Sequence, residues 1–158
     1  MPVKASNLVL YPGGSLTSKE WLEVRREVLE REGHCCKTCK APDRASILRV
    51  KGADFEHYVN LDTLEAFDSA TGEALGSVPA DSLPIGKSTR VILTVAHLDH
   101  NPRNNGRKGH RPNLAALCQK HHLDHDREHH AAEREKTLQA KREAEREAEF
   151  GPMLPLFG

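Results

Sequence analysis

The chain has 158 residues, 37% hydrophobic and 29% charged, with a formal net charge of zero. That length bounds it to one domain with room for an irregular insert, around a small core of the kind that commonly needs a metal or disulfide staple. No apolar run approaches the roughly 18 residues of a membrane span, and Met1-Pro2-Val3-Lys4 lacks the apolar core of a secretory leader, so the expectation is a cytoplasmic protein that does not enter a membrane.

Four cysteines and ten histidines are the compositional signal. Ten imidazoles point to metal or proton chemistry before any motif is read. In a cytoplasmic setting, clustered cysteines bind metal more often than they form disulfides. The neutral total hides an uneven distribution. Residues 1–50 carry nine Lys/Arg against six Asp/Glu, 51–92 three against seven, 93–125 five against two, and 126–158 six against eight. The two segments that hold the cysteines are therefore basic, and a local basic face can engage phosphate although the whole chain is neutral.

In chain order, residues 1–16 read as irregular, with Pro12-Gly13-Gly14 as a turn. Thr17-Ser18-Lys19-Glu20 has the pattern of a capping box, a hydroxyl with Glu three residues on. Trp21, Leu22, Val24, Val28 and Leu29 then predict a helical apolar stripe up to about Arg31, stopped by Gly33. His34-Cys35-Cys36-Lys37-Thr38-Cys39 leaves no room for a regular element and reads as a metal knuckle. Residues 46–50 and 56–59 are β-prone, and Asp68-Ser69-Ala70-Thr71-Gly72 reads as a turn between 64–67 and 74–75, so 46–92 is taken as a β-rich insert of open layout. Residues 90–98 form the strongest predicted strand, rich in β-branched residues. A polar loop over 101–112 follows, then a short helix around 121–125. Residues 127–150 are almost all Ala, Glu, Lys, Arg and Gln, which predicts a long helix of mixed charge with little apolar face.

Cys36-Lys37-Thr38-Cys39 and Cys118-Gln119-Lys120-His121 share one spacing: ligand, two residues, ligand. Two such knuckles converging give a tetrahedral Cys3His zinc site, Cys36, Cys39, Cys118 and His121. Capture of one ion would close a loop of about 80 residues, which stabilises a small core. Cys35 is the alternative to Cys36, and the two-residue gap favours Cys36.

At this point the residues meet a known pattern. Val95-Ala96-His97-Leu98-Asp99-His100-Asn101-Pro102-Arg103-Asn104-Asn105, then Pro112-Asn113-Leu114, then Leu117-Cys118-Gln119-Lys120-His121-His122, resembles the signature of the HNH (His-Asn-His) endonucleases. Arg31-Glu32-Gly33-His34-Cys35-Cys36-Lys37-Thr38-Cys39 is similar to the stretch that precedes it in zinc-stapled phage and bacterial members. The resemblance spans residues 17–40 and 91–130. It implies a ββα-metal module that hydrolyses DNA phosphodiesters and leaves a 5′ phosphate. His97 then aligns with the general base, Asn113 with the central Asn that holds the loop and orients the base, and His122 with a ligand of a catalytic divalent metal. Mg or Mn suits an oxygen-rich shell, with Ni and Zn as alternatives. The chemistry stands on general grounds too. An imidazole near its ordinary pKa can deprotonate water at neutral pH, and a metal with open positions neutralises charge developing on phosphorus.

Three departures mark this chain. Ala96 stands where the pattern has Asp or His as a second metal ligand, and Asp99, two residues from His97, is the candidate substitute. His121 replaces the usual fourth Cys. The loop between Asn105 and Asn113 is longer by Gly106-Arg107-Lys108-Gly109, a basic insert placed to touch a DNA backbone. Asp99-His100 is a second register for ligand and base, so His100 is the alternative base, while Asn104-Asn105 fits the His97 register. His125, His129 and His130 read either as a polar helix face or as support for the metal or a phosphate. Met153-Leu154-Pro155-Leu156-Phe157 looks like a pentapeptide that docks on the replication sliding clamp, though without its leading Gln; the other reading is an end folded back on the domain.

The expected architecture is α+β: a nuclease domain over 1–130, comprising helix and knuckle (17–40), β-rich insert (46–92) and ββα-metal core (91–130), followed by a charged helix and apolar tail over 131–158. The leading function is a DNA endonuclease. Its rivals are a catalytically inactive zinc-stapled DNA-binding module and an adaptor built on the charged helix and tail.

Overall fold

The computed structural model describes residues 8–51, 56–83 and 85–151, and the tail pentapeptide at 153–157 lies outside them. It is α+β and forms two compact units, Met1–Asp124 and His125–Gly158. No helix among the described residues is long and apolar enough to cross a membrane.

The first helix, α1, spans Lys19–Arg31. Its N-cap is Ser18, whose Oγ accepts from the Trp21 N–H at 3.1 Å. The cap therefore sits one residue later than the capping-box pattern placed it, and Glu20 falls in the first turn, where a carboxylate suits the helix dipole. Trp21, Val24 and Val28 are buried, while Leu22 is exposed. Gly33 ends the helix at φ 62°, the left-handed geometry that glycine adopts without penalty, and the His34 N–H donates back to the Leu29 carbonyl at 2.8 Å.

The acidic middle of the chain is a five-stranded antiparallel sheet. It is built from β1 (Ser46–Lys51), β2 (Glu56–Asn60), β3 (Glu65–Asp68), β4 (Ala74–Ser77) and β5 (Ser88–Arg90), in the order β4-β3-β2-β1-β5. Asp68 turns β3 into β4: its Oδ1 accepts from the N–H groups of Ala70 and Thr71. The sheet is no detached insert. Ile47 and Tyr58 are fully buried in the same core as Trp21, Val28 and the knuckle cysteines.

The long strand predicted over 90–98 is divided. β5 stops at Arg90, and β6 (Thr94–His97) belongs to a separate two-stranded sheet with β7 (Leu114–Leu117). Val91 and Leu93 remain buried, but their backbone groups have other partners. Val91 exchanges bonds with Arg44 and Ala45, the Ile92 N–H donates to Gln119 Oε1, and the Leu93 N–H donates to Asp43 Oδ1. With those groups taken, no ladder can run through 91–93. β6 and β7 pair antiparallel, from Thr94 opposite Leu117 to His97 opposite Leu114, and α1 packs against both.

Directly after β7, α2 runs from Gln119 to Phe150, so the short helix and the long charged helix predicted separately are one element. Every side chain from 131 to 149 is exposed. Within that stretch Lys136 pairs with Glu133 and Lys141 with Glu145.

The cap assignment is open to direct test. Ser18→Ala should lower the unfolding free energy by about 1 kcal/mol, whereas Thr17→Ala should cost less than about 0.5 kcal/mol. Urea titration of the two variants reads the difference as a shift in midpoint at constant slope.

Candidate functional site

The Cys-Lys-Thr-Cys knuckle is tied on both sides. The Cys36 N–H donates to the Ala41 carbonyl, the Lys40 N–H to the Cys36 carbonyl, and the Lys37 N–H to the Ala116 carbonyl in β7. Lys40 takes φ 57°, turning the chain back after Cys39. β7 then delivers Cys118 at its end, and one turn of α2 delivers His121. The ligand atoms of Cys36, Cys39, Cys118 and His121 all lie within 4.8 Å of one another. Cys36 Sγ is 3.5 Å and Cys118 Sγ 3.3 Å from His121 Nδ1, and Cys39 Sγ is 3.9 Å from Cys118 Sγ. A tetrahedral zinc with sulfur at about 2.3 Å and nitrogen at about 2.0 Å sets its donors roughly 3.5–3.8 Å apart. The four residues therefore fit a soft tetrahedral metal such as zinc, and the three cysteines are fully buried. Cys35 bridges to Pro42 and is not a member of this cluster.

The four donors are close enough to share protons. Hydrogen bonds from Cys118 and Cys39 hold the Cys36 thiol far below its ordinary range, and Cys39, as donor to its neighbours, is driven far above it. Bonds to Cys118 and Cys36 lift His121 to about 9. Metal binding must displace these protons, so affinity falls as pH falls.

The sheet contributes two residues that sequence reasoning did not single out. Arg49, on β1, donates from Nη2 to Cys118 Sγ at 3.2 Å and lies over the Tyr58 ring, 5.9 Å from its centroid. Three thiolates and a neutral imidazole around a divalent ion sum to one negative charge, which this guanidinium offsets. Tyr58, on β2, donates its hydroxyl to the Cys39 carbonyl at 2.9 Å, in a setting whose desolvation pushes its phenol above the range of an exposed tyrosine. Nothing local in the sequence marks either residue. Their role arises only when the sheet folds onto the knuckle.

A second cluster surrounds the turn after β6. Asn113 Oδ1 accepts from the Asp99 N–H at 3.1 Å, and its Nδ2 donates to Asp99 Oδ1 at 2.8 Å and to the Asn104 carbonyl at 2.9 Å. Asp99 also receives the Asn101 N–H and Asn104 Nδ2, and these donors, led by Asn104, hold its carboxyl down to about 2. Asn113 is thus the clamp of the loop. Asp99 does not share a strand face with His97, because β6 ends at His97 and Asp99 lies in the turn. Its oxygens are largely occupied by amide donors.

His97 closes β6 at 8% exposure, sandwiched rather than opened to a cleft. The Trp21 indole stacks on it at 5.8 Å and 10°, and the Tyr11 ring meets it edge-on at 5.7 Å. Its Nε2 is 2.9 Å from Asn105 Oδ1, and since Asn105 Nδ2 is committed to the Pro102 carbonyl, the imidazole is the donor. In the neutral ring the lone pair then sits on Nδ1. His100 follows at φ 56°, its N–H donating to the His97 carbonyl. His122 lies on the first turn of α2, its Nδ1 2.5 Å from Thr94 Oγ1 at the other end of β6. Thr94 Oγ1 also donates to the Leu117 carbonyl at 3.4 Å, so one hydroxyl ties His122 to the end of β7. Ala96 is 3% exposed and offers no donor.

The basic insert is tied to α1 on one side while Arg107 and Lys108 stay exposed. Lys108 pairs with Glu23 at 2.7 Å, the Gly109 N–H donates to Glu27, and Arg111 pairs with Glu27 at 2.6 Å, all on α1. The loop lies on the acidic flank of that helix because opposite charges 80-odd residues apart in sequence meet there.

No protein-family model, curated protein or solved structure matches this chain.

Two outcomes follow from the geometry. Purified protein should release one zinc per chain on thiol modification with a mercurial reagent, read by a metallochromic dye. Cys39→Ser and Cys118→Ser should abolish that release, whereas Cys35→Ser should leave it intact. The Asp99 clamp has a lowered carboxyl pKa, so its contribution is whole above the ordinary value of 3.8 and is lost as pH falls toward about 2. The carboxyl carbon shift of Asp99 should accordingly still report the ionised form at pH 4, where a free aspartate is about half protonated.

Proposed function

We propose that the chain is a metal-dependent DNA endonuclease of the HNH type, with a zinc in the Cys3His cluster as its structural brace and the β6–β7–α2 segment as its ββα-metal module. The observation that supports this most is the pairing of two oriented imidazoles on one hairpin-helix unit. His97 at the end of β6 is held through Nε2 by Asn105, and His122 on α2 is held through Nδ1 by Thr94.

In this reading His97, 8% exposed between the Trp21 and Tyr11 rings, would take the proton from the attacking water at Nδ1, which requires those rings to admit that water. Its Nε2–H, held by Asn105, stabilises the imidazolium that forms. Asn113 acts through the loop: it fixes Asp99 and the Asn104 backbone, and so the path of the chain from His97 to Asn105. His122 would hold a divalent ion such as Mg or Mn; Asp99, in the turn at the opposite end of β6 and engaged by three amide donors, would join it only by exchanging those bonds. When bound, that ion neutralises charge on the scissile phosphate and its leaving oxygen. DNA is the proposed partner.

One observation favours a second reading. Ala96 is packed into the core where the family pattern calls for a metal ligand, which suits a zinc-braced module that binds DNA without cutting it.

A supercoiled-plasmid assay separates the two. Parent protein should nick DNA with Mg, Mn or Ni and not with EDTA. His97→Ala should cut at least about 100-fold more slowly, the scale of a lost general base, and His122→Ala should lose the metal response. His100→Ala should cut as the parent does. Equal cutting by parent and His97→Ala would reject His97 as the base and move the role to His100. DNA binding without cleavage in any metal would support the non-cutting module.

A further inference from the structure

We propose that Glu27 and Arg111 are positioning residues for His97, acting through the backbone and side chain of Asn105. The inference builds on the reading of His97 as the base, although its physical content concerns only how that ring is held.

The chain of contacts is continuous. Glu27 Oε2 on α1 receives Arg111 Nε at 2.6 Å, with the two side chains only 18% and 11% exposed. Arg111 Nη1 donates to the Asn105 carbonyl at 2.8 Å and to the Gly106 carbonyl at 3.4 Å. Asn105 Oδ1 then faces His97 Nε2 at 2.9 Å. The carbonyl of Arg111 itself receives Arg31 Nη1 at 2.7 Å, so α1 grips residue 111 by side chain and by backbone. The turn beyond is equally fixed. Gly106 has φ +65°, and a Cβ there would stand 2.6 Å from the His110 carbonyl oxygen. The close approach of Gly106 to the His110 carbonyl and the two bonds from Arg111 thus place the Asn105 backbone against α1.

Two features argue that this pair serves more than stability. Glu27 Oε1 is buried with no hydrogen-bond partner among the described residues, so the carboxylate is committed to Arg111 and Gly109 through Oε2 alone. The role also suits arginine and no other cation. A guanidinium donates from Nε to a carboxylate and from Nη1 to a carbonyl at once, in a rigid plane, whereas an ammonium cannot hold both at fixed angles. Lys108–Glu23 provides the contrast. It joins the same loop to the same helix at 2.7 Å, and none of its bonds reaches Asn105.

Nitrogen-15 spectroscopy of the His97 ring in the zinc-loaded full-length protein tests this without any cleavage assay. The parent should show His97 as the Nε2–H tautomer with slow solvent exchange of that proton. Arg111→Lys and Glu27→Gln should speed the exchange by about tenfold, the loss of one hydrogen bond's worth of protection, and Asn105→Ala should do so at least as strongly. Lys108→Ala should leave the signal as in the parent. Zinc content and melting temperature confirm which variants are folded, and Glu27→Gln is isosteric should Arg111→Lys fail to fold. Unchanged exchange in a folded Arg111→Lys or Glu27→Gln variant would overturn the proposal, as would an equal change in Lys108→Ala. If the ring responds as expected while the protein cuts no DNA, the positioning role stands and the nuclease reading falls. If both hold, the cutting rate of Glu27→Gln should drop with kcat while KM for DNA stays constant.

Discussion

The convergence of three sulfurs and one imidazole nitrogen at a single buried point is the constraint on which the first unit rests. The knuckle supplies two donors and the junction of β7 with α2 supplies the others, 79 to 85 residues away along the chain. Everything between must fold so that its ends meet there. A small core cannot bury three ionised thiols unaided, because each charge removed from water needs a partner. A bound divalent ion would provide that partner, and Arg49 offsets the remaining charge from the sheet side.

The five-stranded sheet follows from the same point. Tyr58 bonds the backbone of Cys39, Arg49 reaches Cys118, and Ile47 shares the core with α1. Lys120, on the first turn of α2, pairs with Glu56 of β2 at 3.1 Å and with Asp124 at 2.7 Å. The acidic character of the middle segment is thus matched partly by basic residues at the start of the helix. A segment that carries no motif is the wall against which the metal knuckle is built.

The hairpin of β6 and β7 carries the candidate chemistry, and its loop is held by two different kinds of interaction. Near its start, neutral amides of Asn113 and Asn104 and the charge of Asp99 form a local clamp. Farther on, Glu27 and Glu23 of α1 hold Arg111 and Lys108. The aromatic pair Trp21 and Tyr11 excludes water from one side of His97, which strengthens its hydrogen bond to Asn105. The orientation of the His97 ring and the packing of the core are here the same set of contacts.

Short-range patterns in the sequence determined a good deal. The Cys-x-x-Cys and Cys-x-x-His spacings named the four residues that cluster as a possible metal site, since spacing is a local property of a knuckle and of a helical turn. The apolar stripe of α1, the Gly33 stop and the turn at Asp68 were equally legible, because each depends on residues within one or two turns of each other. Asn113 as a loop clamp was legible through the resemblance to a known pattern. What only the tertiary structure decided are the choices made by distant partners. The division of the 90–98 run into β5 and β6 depends on Asp43 and Gln119 taking its backbone bonds. The burial of His97 depends on Trp21, and the fate of the basic loop depends on two glutamates of α1. Arg49 and Tyr58 read as ordinary strand residues until the sheet meets the knuckle. Side-chain chemistry and local spacing are written in the chain, whereas the partner that satisfies a given backbone group or charge is set by long-range packing, which no local pattern encodes.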